Sequence, residues 1–276
     1  MEFDQYPPLK LLKELQGKLP RGLEMMKEIH RSKNSGELTG WPDWCYAPLA
    51  AAASVVFFER PDEYPARKDE YVPVPAIAQI LAFLAPWSEE KKVYAFDQDM
   101  EEYLTRNSAV LTRIPSTDLL RIPHACFYVQ TNTLSIVGYP IHGFFVSLDY
   151  ELENGKKELH ILFLYDNGGF FVYTLPINEN TVFGSIQFTL DELLVTENNA
   201  KLVNDPDAFG EEDYREWKKL LEYTMNLTFF VYLMKHYKED DGLVPITKIG
   251  SIAGMNMDYI SKPEDLSLHC TAPFSI

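Results

Sequence analysis

HACFYVQTNTLSIVGYPIHGFFVSLDYELENGKKELHILFLYDNGGFFVYTLPI, residues 124–177, is the stretch whose reading decides the fold. Two tight-turn signals divide it, Asn154-Gly155 and Asp166-Asn167-Gly168-Gly169. Asn-Gly between apolar alternations marks a hairpin, because both residues tolerate the positive φ that such turns need. The stretch predicts an antiparallel meander with strands over 125–130 and 141–151 and further strands after each turn. With Asn154 and Gly155 as a two-residue loop, Tyr150 lies opposite Leu159, Leu148 opposite Ile161 and Val146 opposite Phe163. That face is uniformly apolar and should meet a core. The other face pairs Phe145 with Leu164, Ser147 with Leu162 and Asp149 with His160, and the second turn is expected to add Phe171, Tyr173 and Leu175 to it. It is mixed rather than polar, so at least part of it should be covered.

Outward from the meander the chain reads as helix. Helices are predicted over 9–16 and 20–30, then over 44–58 with Asp43 as cap, and over 75–84 with a stop at Pro86. A strand over 93–96 and an acidic-capped helix over 97–106 follow, with a short helical turn over 116–120. Thr189 and Glu192 have the spacing of a capping box for a helix over 189–195. The residues 198–210 read as a polar loop. A long helix is expected over 211–238, with Tyr214, Trp217, Leu221, Met225, Thr228, Val231 and Tyr232 as its apolar stripe. The tail after Leu243 shows no period. The class is therefore α+β: a mostly helical region over 1–115, and an antiparallel sheet packed by helices over 116–276. One continuous core is as compatible with this pattern as two domains.

Bulk properties bound the function. The 276 residues are 46% hydrophobic and 13% aromatic, enough for a sizeable core. The net charge of −16 repels phosphate backbones, so direct nucleic-acid binding is not expected. An acidic surface suits a basic protein partner. The three cysteines, Cys45, Cys126 and Cys270, are scattered and odd in number, which fits a reducing cytosol. The start of the chain has no apolar signal region, and the longest apolar run, 47–58, is too short to span a bilayer. A cytoplasmic protein of a bacterial host cell, with no membrane partner, is expected.

Candidate chemistry is thin. His124-x-Cys126 with His142 and His160 does not have the spacing of a zinc knuckle. Cys126 sits in an apolar strand, where a thiol is ordinarily inert packing. Asp149 opposite His160 is the best charged pair, and a cross-strand ion pair is its ordinary meaning. The acidic clusters at 97–102 and 211–213 fall at helix starts, where the macrodipole favours them, and the one at 239–241 falls past a helix end. The Asp166 to Gly169 loop lacks phosphate-loop spacing. No catalytic residue, cofactor or metal is expected. Trp41 and Trp44 read as core or as an aromatic recognition pocket.

Several segments in order resemble a family of anti-CRISPR proteins carried by phages and other mobile elements and directed against type V-A single-effector nucleases. They are Trp41-Pro42-Asp43-Trp44 through Ala53, Ile122 through Val129, Gly143 through Tyr150, Leu159 to Asp166, Val172 to Pro176, and the helix near 220–237. The basic C-terminal tail of that family has no counterpart here. The resemblance implies a non-enzymatic inhibitor. It implies recognition of the effector's polypeptide during synthesis, a fall in effector and messenger, and translating ribosomes as further partners. On that reading Trp41, Trp44, Phe145, Asp149, His160, Phe171 and Tyr173 are the candidate contact residues. A mobile-element hydrolase or nuclease using Asp149 and His160 or an acidic cluster is one alternative. A phage or plasmid structural or scaffold protein is another.

Overall fold

The computed structural model describes residues 6–61, 75–105, 111–136, 138–166, 168–178, 180–201, 211–236, 246–252 and 255–260. Of the polar loop expected over 198–210, residues 198–201 are helical and the rest lies outside the described residues, as do the acidic cluster at 239–241 and Cys270. Helices α1 (Pro7–Lys18), α2 (Gly22–Asn34), α3 (Leu49–Glu59) and α4 (Ala76–Glu90) come first. Strand β1 (Lys92–Phe96), helix α5 (Gln98–Thr105) and a 3-10 turn (Ser116–Arg121) lead into the meander. The meander is β2 (Cys126–Gln130), the short β3 (Ser135–Ile136), β4 (Tyr139–Tyr150), β5 (Lys157–Tyr165) and β6 (Phe170–Ile177). Helices α6 (Val182–Lys201) and α7 (Glu211–His236) and the hairpin β7 (Ile246–Ile252) and β8 (Met255–Ile260) complete the described chain.

The strands form one mixed sheet in the order β6-β5-β4-β2-β1-β8-β7, with β3 pairing on β4. Only β1 runs parallel to its neighbours, β2 and β8; every other pairing is antiparallel. Both faces are covered. Phe127, Val129, Phe144, Val146, Leu159, Ile161 and Phe163 meet α5, α6 and α7 on one face. Tyr128, Phe145, Leu162 and Leu164 meet α1 to α4 on the other. The fold is α+β as expected, and β1, from the mostly helical first part, lies within the sheet.

Several boundaries differ for identifiable reasons. Helix α4 continues through Pro86 to Glu90, because Leu81, Phe83, Leu84, Ala85 and Trp87 are all buried and their packing outweighs one lost hydrogen bond. It ends at Lys91, whose φ of 47° is left-handed. Asp43 does not cap α3. Its carboxylate bonds Lys33 at 2.8 Å, and α3 starts six residues later, after Pro48. Helix α6 starts well before Thr189. Thr181 is its cap, accepting the Gly184 amide at 3.1 Å, whereas Thr189 lies inside and donates to the Ser185 carbonyl. The β7–β8 hairpin was not legible as a period.

The registers carry the most consequence. The first turn is longer than two residues: Glu151 donates to the Lys156 carbonyl at 2.9 Å and Gly155, at φ 74°, bonds back to Glu151. Tyr150 therefore faces Lys157, Leu148 faces Leu159 and Asp149 faces Glu158, a slip of two from the expected pairing. A slip of two leaves every side chain on its expected face. The second turn closes between Tyr165 and Gly169, with Gly168 at φ 85°. This is the three-residue loop with a left-handed glycine, one residue longer than a two-residue turn. Phe171 thus faces Phe163 and Tyr173 faces Ile161. One residue flips parity, so Phe171, Tyr173 and Leu175 lie on the α6/α7 face, opposite to Phe145.

Candidate functional site

The expected contact residues do not share one surface. Phe145 is 0% exposed and packs edge-on against Trp87, with Phe83 and Tyr128 beside it. Tyr173 is 3% exposed on the other face of the sheet. Trp41 and Trp44 are half-buried, and Trp44 meets Tyr150 edge-to-face at 6.0 Å. That places Trp44 at the β4–β5 turn. Phe171 stands at the other end of the same ladder, since it aligns with Phe163 and through it with Phe144, six residues from Tyr150. Six strand residues span roughly 20 Å.

At the Tyr150 end, three titratable side chains converge on the α1–α4 face. Asp149 and Glu158 are directly cross-strand, and His160 is diagonal to Asp149. The His160 Nε2 lies 3.0 Å from Glu158 Oε2 and 3.8 Å from Asp149 Oδ2. Asp149 Oδ1 accepts the Leu49 amide at 2.8 Å, at the first turn of α3, where a carboxylate also meets the positive end of the helix dipole. The hydrogen bond from His160 holds the Glu158 carboxyl below its ordinary range, against the opposing effect of burial. Asp149 thus ties α3 to the sheet.

The other polar clusters hold elements together. Glu101 is fully buried and accepts hydrogen bonds from the Asn132 amide, Thr133 Oγ1 at 2.7 Å and the Tyr223 hydroxyl at 2.9 Å, joining α5 to the β2–β3 loop and α7. Asp97 caps α5 through the Met100 amide at 2.7 Å. His124 bridges Tyr94, at 2.9 Å, and Glu90, at 2.6 Å, while His142 bonds Tyr128 at 2.8 Å. Burial pushes the Tyr94 and Tyr128 phenols and the Cys126 thiol upward, away from any nucleophilic form.

At the Phe171 end the structure offers an edge. Among the described residues strand β6 is the last in the sheet and pairs only with β5. Alternate main-chain groups along it face away from β5. On one side, Phe171 (37% exposed) lies 4.8 Å from Trp217 of α7, and Tyr173 stacks on the same indole. On the other side, a recess of about 470 Å³ is lined by Leu11, Leu15, Ile77, Ile80 and Phe170. Glu14, Lys18 and Arg60 give it charge of both signs. The periodicity of α7 places Trp217 on an apolar stripe, but nothing in it says that the indole meets Phe171. The recess joins α1, α4 and the β5–β6 turn, which only the folded chain brings together.

No described helix is long and apolar enough to cross a membrane. No curated protein sequence matches this chain. Among solved structures, a crystal structure of AcrVA2 is similar, with a TM-score of 0.57 and 12% identity over 90% of this chain and 82% of that one. At that identity the likeness shows the fold. The sequence matches the family described as AcrVA2-like, anti-CRISPR type V subtype A2, over residues 94–245, from β1 to just past α7. That span holds the meander, β6, Asp149, Glu158, His160 and Trp217, and covers more than half of the 276 residues, so the chain belongs to the AcrVA2-like anti-CRISPR family.

Proposed function

We propose that this chain inhibits type V-A CRISPR systems without catalysing a reaction: it captures the effector's polypeptide, during its synthesis, and lowers the effector and its messenger. Membership of the AcrVA2-like family supports an anti-CRISPR function against type V-A systems. The single observation that carries the capture reading is the β6 edge. An extended segment added beside β6 would gain main-chain hydrogen bonds. Its alternate side chains would point to the Phe171–Trp217 aromatic pair on one side and to the Leu11/Ile77/Phe170 recess on the other. Of the expected contact residues, Phe171 is the one in direct reach of such a segment, and Tyr173 backs it by stacking on Trp217. The acidic character of the chain suits a basic nucleic-acid enzyme as partner.

The test is coupled synthesis. A type V-A effector is translated with or without this chain, and effector protein, effector messenger and ribosome association are measured. The expected result is a selective fall in effector and messenger, with this chain recovered on ribosomes translating that effector. Phe171→Asp should weaken the effect at least tenfold while leaving the circular dichroism spectrum unchanged. Inhibition of finished effector with no effect on its synthesis would refute the nascent-chain reading. Full activity of Phe171→Asp would refute the β6 location.

A further inference from the structure

We infer that Asp149, Glu158 and His160 form a binding site for one divalent transition-metal cation of the zinc class, clasping the β4–β5 hairpin to the start of α3. The ligand atoms are His160 Nε2, Glu158 Oε2 and Asp149 Oδ2. One ligand atom from each residue lies within 4.8 Å of the others, with Nε2 3.0 Å from Glu158 and 3.8 Å from Asp149. Four-coordinate zinc with bonds of 2.0–2.2 Å needs donors roughly 3.3 Å apart, a value these two separations bracket. Small side-chain rotations therefore suffice. An imidazole with two carboxylates is a donor set for zinc, whereas calcium and magnesium take oxygen only.

Three further observations separate this cluster from a solvated acidic patch. Two of its three residues are buried: Asp149 is 8% and His160 6% exposed. Among the described residues the one hydrogen bond to the Asp149 carboxylate goes to Oδ1, and His160 Nε2 stands 3.8 Å from Oδ2, beyond hydrogen-bond distance. Among the described residues neither carboxylate has a lysine or arginine within ion-pair distance. Lys156 acts on Glu158 only through longer-range attraction. Two carboxylates facing each other across a ladder repel, and a single protonated imidazole leaves one negative charge uncompensated. A divalent cation with a neutral imidazole balances the set. The Leu49 amide donates to Asp149 Oδ1 and fixes the orientation of the carboxylate, as the outer hydrogen bonds of metal-bound carboxylates do. The Phe83 ring beside His160 excludes water from one side, and the partly exposed Glu158 leaves a way in, with water completing the coordination.

The experiment uses the full chain, stripped with a chelator and titrated with Zn²⁺ by calorimetry and with Co²⁺ by visible absorption. One equivalent should bind, Co²⁺ should give the intense bands of a four-coordinate site, and the melting temperature should rise with metal. Zn²⁺ should shift the ring signals of His160 alone among the 6 histidines in an NMR spectrum of the unmodified protein. Glu158→Gln and His160→Gln should each weaken binding at least tenfold, while Mg²⁺ and Ca²⁺ should not compete. Absence of a stoichiometric site in the unmodified chain would overturn the inference whether or not the variants fold. So would metal-induced shifts confined to His30, His124 or His142. Unchanged affinity in both variants would do the same.

Discussion

Replacing Glu101 tests whether a buried carboxylate is the fastener between α5, the β2–β3 loop and α7. Its side chain accepts from the Asn132 amide at 3.0 Å, the Asn132 side chain at 3.2 Å, Thr133 Oγ1 at 2.7 Å and the Tyr223 hydroxyl at 2.9 Å. In Glu101→Ala, water reaches Asn132 and Thr133, which are exposed, whereas Tyr223 is 6% exposed and keeps its contact with Thr133 Oγ1, 3.0 Å away. The lost charge-assisted bonds are worth about 1.5–3 kcal/mol each in isolation. Allowing for rehydration of the two exposed partners, Glu101→Ala should cost about 3 kcal/mol. Glu101→Gln keeps the volume and one acceptor but sets an amide donor among donors, and should cost about 1.5 kcal/mol. At about 2 °C per kcal/mol for a chain of this size, the two variants should melt roughly 6 °C and 3 °C lower. Tyr223→Phe should cost about 1–2 kcal/mol in the parent protein and almost nothing beside Glu101→Ala. Urea titrations followed by circular dichroism give all four corners of the cycle. Additive losses, or a Glu101→Ala variant within 0.5 kcal/mol of the parent, would show that the carboxylate is not the fastener.

Phe145→Ala should destabilise the fold by about 4 kcal/mol and change inhibition only in proportion to the folded fraction, as read by denaturation beside the coupled-synthesis assay, because the ring is core. Gly143→Ala should cost about 3 kcal/mol by the same denaturation readout. A Cβ there would run into the Val129 carbonyl, which the ladder holds in place, and into the Tyr128 ring. His142 gives a pH signature. Burial lowers its pKa from the ordinary 6.5, so the unfolded chain takes up the proton first as pH falls. The stability of its neutral form, which can accept the Tyr128 hydroxyl, is complete above pH 6.5 and is lost on acidification through that value towards the depressed pKa. His142→Gln should flatten this part of the stability profile between pH 7.5 and 5, a range chosen to bracket the histidine titration. An unchanged slope would place the acid sensitivity elsewhere.

The places where the chain turns were legible; the way the turns set register was not. Asn154-Gly155 and the Asp166 to Gly169 run mark both hairpins, and the strands fall where their apolar alternation puts them. Loop length is decided by local hydrogen bonds, such as Asn154 Oδ1 accepting the Lys156 amide, that composition does not show. The first loop grew by two residues and the faces survived. The second closed over three residues, an odd number that reverses parity, and Phe171 and Tyr173 crossed to the other face. That step dissolved the expected contact surface and left Phe145 beneath α4. The slip at the first turn explains why Glu158 went unread: only the observed register sets it opposite Asp149, with His160, two residues further along the same strand, diagonal to that carboxylate. The parallel pairings of β1 need crossovers through distant elements, which periodicity cannot assign.

The same geometry narrows where recognition can happen. A sheet with one exposed face would offer that face to a partner, but here helices cover both, and the large aromatic residues at its centre, Phe127, Tyr128, Phe144 and Phe145, are all fully buried. Among the described strands, main-chain groups free to pair then lie at the two ends of the strand order, β6 and β7, and at the two-residue β3. Of these, β6 carries an aromatic pair on one side and an apolar recess on the other, both within reach of alternate residues of an added strand. It also lies within the span that matches the anti-CRISPR family, whereas β7 begins one residue beyond it. If the family's shared activity depends on a shared surface, β6 is the edge that the matching segment supplies. A chimaera exchanging the second hairpin, residues 157–177, between this chain and another family member should then carry target preference with it. Preference that stays with the rest of the chain would move the recognition surface off the sheet edge.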